Sequence, residues 1–169
     1  MPIHTKTRLA TIMFVDIVNF SRMMGADEMK TMQLLDDFFT ISTKVIKKYN
    51  GNVIKKMGDE IFAEFSSAIS IVQCSINIQD KLKKYNQSAS EDFCLKTRIG
   101  LHLGEVIFNN NDVFGDGVNV AKRIQPLAKP GGICVSGKVY NEIKNKSEFN
   151  IIPFGEIELK NIIDTHSIY

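Results

Sequence analysis

Asp16 closes an apolar run, LATIMFVDI over Leu9–Ile17, and Asp59 stands in the turn Gly58-Asp59 between two further strand-like runs, NVIKKM and EIFAEF. Two carboxylates at one end of a sheet, with coordination positions left open, suit Mg²⁺, which takes one or two carboxylates plus phosphate oxygens. Two such ions can activate an attacking oxygen and neutralise a leaving phosphate. Taken singly, the same residues also fit a strand end and a plain turn, where Asp is favoured. Val18-Asn19-Phe20-Ser21 follows Asp16 directly. A strand-to-helix turn there presents free backbone N–H groups and a positive dipole end, which suits phosphate. Asn119 and Arg123 stand four apart in GDGVNVAKRI and so share a helix face. Arg can stabilise charge growing on a phosphoryl group, and Asn can hold a sugar by hydrogen bonds. The pair also fits a solvated polar stripe. Lys55 and Lys56 point to opposite faces of their strand, so whichever turns inward needs a partner or a ligand. Lys160 in ELKNI reads as a solvated cation, and His102, inside a strand, as structural.

The elements that position these residues follow from periodicity. Leu9–Ile17 reads as a buried strand. Ser21 offers an N-cap, and Met24–Lys48 reads as one long helix, with Met32, Leu35, Phe38, Phe39, Ser42, Val45 and Ile46 recurring at spacings of three and four. Asn50-Gly51 ends it. Gly58-Asp59 predicts a hairpin, Ala68–Tyr85 a second helix and Phe93–Leu103 a strand, with Gly104 turning the chain into Glu105–Phe108. Asn109–Asp112 is a polar loop tip. Gly117–Leu127 reads as a helix stopped by Pro130-Gly131-Gly132, Ile133–Val135 as a strand, and Ser136 caps a helix to Ile143, with short strands on to Tyr169. The order β-α-β-β-α-β predicts an α+β fold: a ferredoxin-like split βαβ core with C-terminal additions, two helices covering one face of a mainly antiparallel sheet. Its first strand and hairpin lie centrally, which brings Asp16 and Asp59 to one end of neighbouring strands.

The chain has 169 residues, one domain's worth, so 1–169 is expected to be a single domain. A net charge of +2 excludes a strongly basic nucleic-acid surface. No apolar run approaches the ~18 residues of a membrane helix, and Met1–Lys6 holds no signal-peptide core. Cys74, Cys94 and Cys134 are dispersed, without zinc spacing, and read as buried thiols in a reducing cytoplasm.

Three segments in this order, FVDIVNFS, VIKKMGDEIFAEF and DVFGDGVNVAKRI, resemble the catalytic domain of class III nucleotidyl cyclases over about Arg8–Tyr169. The resemblance implies that Asp16 and Asp59 hold two divalent ions, Mg²⁺ or Mn²⁺, with the Ile17 carbonyl an extra ligand. It implies that the backbone of Asn19, Phe20 and Ser21 holds the β- and γ-phosphates, that Lys55 is the purine-recognition lysine, and that Asp112 is its partner acid. Asn119 would orient the ribose, Arg123 would stabilise the pentacovalent phosphorus, and Lys160 matches the family's triphosphate lysine. Three positions depart from the pattern: Asn19 stands where many relatives have Gly, Glu60 follows Asp59 where Gly is frequent, and Lys122 replaces a small residue, expected on the exposed side of its helix.

The implied activity is an adenylate cyclase converting ATP to 3′,5′-cyclic AMP and pyrophosphate. A lysine donates and a carboxylate accepts, which matches the ring nitrogens and N6 amino group of adenine. A cyclase for another base, a diguanylate cyclase prompted by Gly58-Asp59-Glu60, and a non-catalytic nucleotide-binding or dimerisation module of the same fold are the alternatives. Lys55 and Asp59 lie on one hairpin, too close to take opposite ends of one nucleotide. The resemblance resolves this with a homodimer whose sites are shared. Asp16 and Asp59 then come from one chain, and Lys55, Asp112, Asn119, Arg123 and Lys160 from the other.

Overall fold

The computed structural model describes residues 5–169, so Met1–His4, part of the stretch read for a leader, lies outside the described residues. Strand β1 (Lys6–Ile17) is followed by two helices, α1 (Phe20–Ala26) and α2 (Glu28–Lys48), where one was predicted. The break falls at Asp27, whose extended backbone ends α1 and whose side chain caps α2 by accepting from the Lys30 N–H. An Asp after Gly25 offers the chain an N-cap that competes with continued helix. Helix α2 buries Leu34, Leu35, Phe38, Val45 and Ile46, whereas Met32 faces outward.

Strands β2 (Asn52–Met57) and β3 (Glu60–Phe65) form the predicted hairpin, and α3 (Ala68–Tyr85) matches its predicted bounds. Strand β4 (Thr97–Asn109) runs unbroken through Gly104, where a turn was predicted, and pairs with β1 along its whole length. Gly104 is there for closeness rather than bending: a methyl group on it would stand 3.2 Å from Gly117 Cα in the overlying helix α4 (Asp116–Ile124). Strand β5 (Asp112–Phe114) precedes α4, and a 3₁₀ turn, Gln125–Leu127, prolongs it. Then come β6 (Ile133–Val135), α5 (Gly137–Ile143), β7 (Gly155–Glu158) and β8 (Thr165–Ile168).

The main sheet runs β2-β3-β1-β4-β5, antiparallel throughout, with β6 added parallel to β4 and β7–β8 forming a separate pair. This is the predicted α+β, ferredoxin-like order. Coverage differs from expectation, because both faces are packed. Met13, Val15 and Ile17 of β1 meet α2 and α3, while Ala10, Ile12 and Phe14 lie on the α4 side with Phe62, Val113 and Ala121. Burial on two faces explains why β1 reads as a continuous apolar run rather than an alternating one. Cys74 and Cys134 are buried as predicted; Cys94 is only half-buried.

Candidate active site

Asp16 lies directly opposite Glu60 in the β1–β3 ladder, two residues beyond the opposed pair Phe14 and Phe62, whose rings stack 4.7 Å apart. The period of two places Asp16 and Glu60 on that same face, toward α4. Of the two turn residues, only Gly58 has a positive φ, 58°, the pattern of a II′ turn; this is why Gly-Asp serves here as well as Asp-Gly would. The turn brings Asp59 to the end of β1. Burial first, then the Asp59 charge, pushes the Asp16 carboxyl up to about 6, and Glu60 adds to this; a hydrogen bond from Gln125 and the Arg98 charge pull the other way. Excess negative charge that one proton would relieve is also suited to a cation. Among the described residues no three acidic, His or Cys side chains converge as a cage. Two carboxylates and the backbone at Ile17, the last residue of β1, fit a hard ion that fills its shell with water and phosphate oxygens.

The chain leaves β1 through Asn19, which holds a left-handed conformation (φ 61°) at the N-terminus of α1. Asn is among the few non-glycine residues that adopt it readily, so this residue suits the turn. The first helical bond runs from the Met23 N–H to the Asn19 carbonyl. The N–H groups of Phe20 and Ser21 therefore have no intrahelical partner. The Phe20 ring packs into the core, while Ser21 is exposed.

Which lysine turns inward is decided by a slip of one residue in the β2–β3 ladder between Val53 and Lys55. Val53 packs toward α2 and α3, and Ile54 toward α4. Strict alternation would send Lys55 back toward α2 and Lys56 toward α4. The extra residue reverses this. Lys55 lies opposite Phe62, and its ammonium sits 2.5 Å from Asp112 Oδ2, with the half-exposed Phe114 ring 5.7 Å away. Lys56 instead stands over Phe39 of α2, at 4.8 Å. The hydrogen bond from Lys55 holds the Asp112 carboxyl below the usual carboxylate range, helped by the Val113 N–H. Asn110 and Asn111, both with positive φ, make the β4–β5 turn, so the predicted loop tip is a two-residue I′ hairpin. Val113 packs with Phe14 and Phe62. The sheet thus curls until β5 at one edge meets β2 at the other.

Asn119 and Arg123 share the outer face of α4, both exposed, and neither makes a side-chain hydrogen bond or ion pair among the described residues. Lys160, in the β7–β8 connection, is also exposed and joins none of the other predicted site residues. Lys122 is exposed, as expected, but its side chain also reaches the sheet, where its Nζ donates to Glu60 Oε1 at 3.1 Å and stands 5.5 Å over the Phe14 ring. The buried Gln125, whose amide also donates to the Arg98 carbonyl, was not among the predicted site residues. Its only sequence signal is its position two residues after Arg123.

Similarity to known proteins bears on this geometry. The family model described as "Adenylate and Guanylate cyclase catalytic domain" matches residues 4–169. The chain is 35% identical over 158 residues to "Putative adenylate cyclase 3" of Rhizobium meliloti, covering 93% of this chain and 27% of that protein. It thus spans about a quarter of that relative's length. The crystal structure of an adenylate/guanylate cyclase/hydrolase from Silicibacter pomeroyi superposes with a TM-score of 0.91 at 26% identity, covering 98% of this chain and 96% of that one. The adenylyl cyclase CyaB from P. aeruginosa shares the fold, with a TM-score of 0.88 at 22% identity, over 99% of this chain and 95% of that one. A match over nearly all the chain, on a fold that brings Asp59 to the end of β1 beside Asp16 and pairs Lys55 with Asp112, makes this protein a member of the class III nucleotidyl cyclase family.

Proposed function

We propose that residues 1–169 act as one catalytic domain, an adenylate cyclase that converts ATP to 3′,5′-cyclic AMP and pyrophosphate in the cytoplasm. The observation that carries the base assignment is the Lys55–Asp112 pair beside the Phe114 ring. It offers one donor and one acceptor side by side, the complement of a ring nitrogen and the N6 amino group of adenine. The dispersed free thiols suit a reducing compartment.

Asp16 and Asp59, with the Ile17 carbonyl, would hold two divalent ions, Mg²⁺ or Mn²⁺. When bound, such ions make the attacking ribose hydroxyl more acidic and neutralise the leaving pyrophosphate. The chain's own groups do the remainder. The backbone of Asn19, Phe20 and Ser21 takes the β- and γ-phosphates. Asn119 fixes the ribose, Arg123 donates to the oxygens on which charge develops at the α-phosphorus, and Lys160 holds the triphosphate. The outward, unpartnered placement of Asn119 and Arg123 supports a homodimer with shared sites, in which each chain lends these two residues to the carboxylates of the other.

Turnover of ATP, GTP, CTP and UTP side by side, with products identified by mass spectrometry, tests the assignment. Cyclic AMP from ATP should dominate. Preferential use of GTP or a pyrimidine triphosphate would overturn the base reading, and no cyclic product from any of the four would overturn the enzyme reading.

A further inference from the structure

Glu60 and Lys122 meet each other although 62 residues separate them. Glu60 directly opposes Asp16 and follows Asp59 in the chain. Directly opposed side chains share a face, with Cβ atoms roughly 4.5–5.5 Å apart, and like charges so placed repel. Three carboxylates therefore start within reach of one point. Even so, no three converge among the described residues. Glu60 Oε1 accepts from Lys122 Nζ at 3.1 Å, and the Glu60 side chain is only 15% exposed. Lys122 reaches it from α4 across the Phe14 ring.

We infer that Lys122 is a positioning residue that holds Glu60 away from divalent ions at Asp16 and Asp59, so that the site presents two carboxylates rather than three. The inference rests on the reading of Asp16 and Asp59 as metal-holding residues. Mg²⁺ requires near-octahedral coordination and keeps positions for water and substrate oxygens. A third carboxylate would occupy one of them and hold the ion more tightly to the protein. A partly exposed Lys–Glu pair contributes little to stability by itself. Its effect belongs in metal affinity, where groups that orient the ligands commonly matter more.

Two mechanisms would tighten metal binding once Lys122 is neutralised: release of Glu60 toward the ions, or simple loss of a nearby positive charge. Only the first requires Glu60. The experiment titrates Mn²⁺ alone into nucleotide-free protein and reads free Mn²⁺ by electron paramagnetic resonance. The variants are Lys122→Met, Lys122→Gln, Lys122→Arg, Glu60→Gln and the double variant Lys122→Met/Glu60→Gln, each first checked for native circular dichroism. Lys122→Met and Lys122→Gln should bind Mn²⁺ about tenfold more tightly, and Lys122→Arg within about twofold of wild type. In the Glu60→Gln background, Lys122→Met should change the affinity by less than about threefold. No tightening in either neutral variant, or the same tightening with and without Glu60, would overturn the inference. Asp16→Asn and Asp59→Asn separate the two failures. If they lose Mn²⁺ while Lys122→Met gains nothing, this inference alone falls. If they bind Mn²⁺ like wild type, the metal reading falls and this inference with it.

Discussion

At the scale of single residues, the Lys55–Asp112 pair gives the substrate reading its sharpest consequence. Exchanging its donor and acceptor pattern with Lys55→Glu and Asp112→Cys should lower kcat/KM for ATP relative to GTP by about 10²-fold or more, because a site built on polar contacts rejects a mismatched partner strongly. Steady-state kinetics with both nucleotides checks this, and an unchanged ratio would remove the pair from base selection. Asp16, Asp59, Asn119 and Arg123 stand out in the sequence as candidates because carboxylates fall at a strand end and in a turn, and the Asn–Arg pair four apart on a helix; their roles rest on the family resemblance. The choice of Lys55 over Lys56 was not legible from alternation. It depends on a one-residue slip between Val53 and Lys55 that nothing in NVIKKM signals. The Glu60–Lys122 contact was equally hidden, since pairing across 62 residues is a property of the folded sheet and helix, not of either segment.

At the scale of elements, α4 is held against β4 by closeness of backbone. A methyl group on Gly100 would stand 2.4 Å from the Gln125 backbone nitrogen and 2.5 Å from its Cα, so neither side can yield by rotating a side chain. Gly100→Ala should destabilise by about 1–3 kcal/mol, lowering Tm by several degrees. It should also reduce kcat, because the shift is imposed next to Arg123. Calorimetry and turnover together check this; unchanged Tm would show that the contact relaxes without cost. Strand β4 also carries the buried His102, its Nδ1 2.8 Å from Ser136 Oγ. Burial, then Lys138 and His166, lower its pKa to about 3. An unfolded His takes up its proton near pH 6.5. The unfolded state therefore binds more protons between about pH 6.5 and 3, and stability falls as pH falls through that window. His102→Gln should weaken this dependence, which urea unfolding at about pH 7 and about pH 4.5 would measure. A constant difference between variant and wild type across the window would exclude His102 as the group responsible. The break at Asp27 and the straight passage of β4 through Gly104 escaped the sequence reading for one reason. A capping side chain and a close helix contact favour conformations that helix propensity and turn preference alone do not indicate.

At the scale of the whole molecule, the shared-site reading makes a quantitative claim. Asp16→Ala and Arg123→Ala proteins, each nearly inactive, should complement on mixing. One site of a mixed dimer carries both lesions and the other neither. With random exchange half the dimers are mixed, so about a quarter of wild-type activity should return. Specific activity should also fall on dilution below the dimer dissociation constant. Absence of recovery despite demonstrated subunit exchange would refute shared sites. The strand order has a further consequence, for the chain as it is made. β1 is apolar on both faces and is made before its partners: β3 comes later, and β4 is complete only roughly 90 residues after β1 ends. At about 5–20 residues per second, ribosomal synthesis leaves that strand without its second neighbour for about 5–20 seconds. During that interval this apolar strand presents a bare hydrogen-bonding edge to other chains.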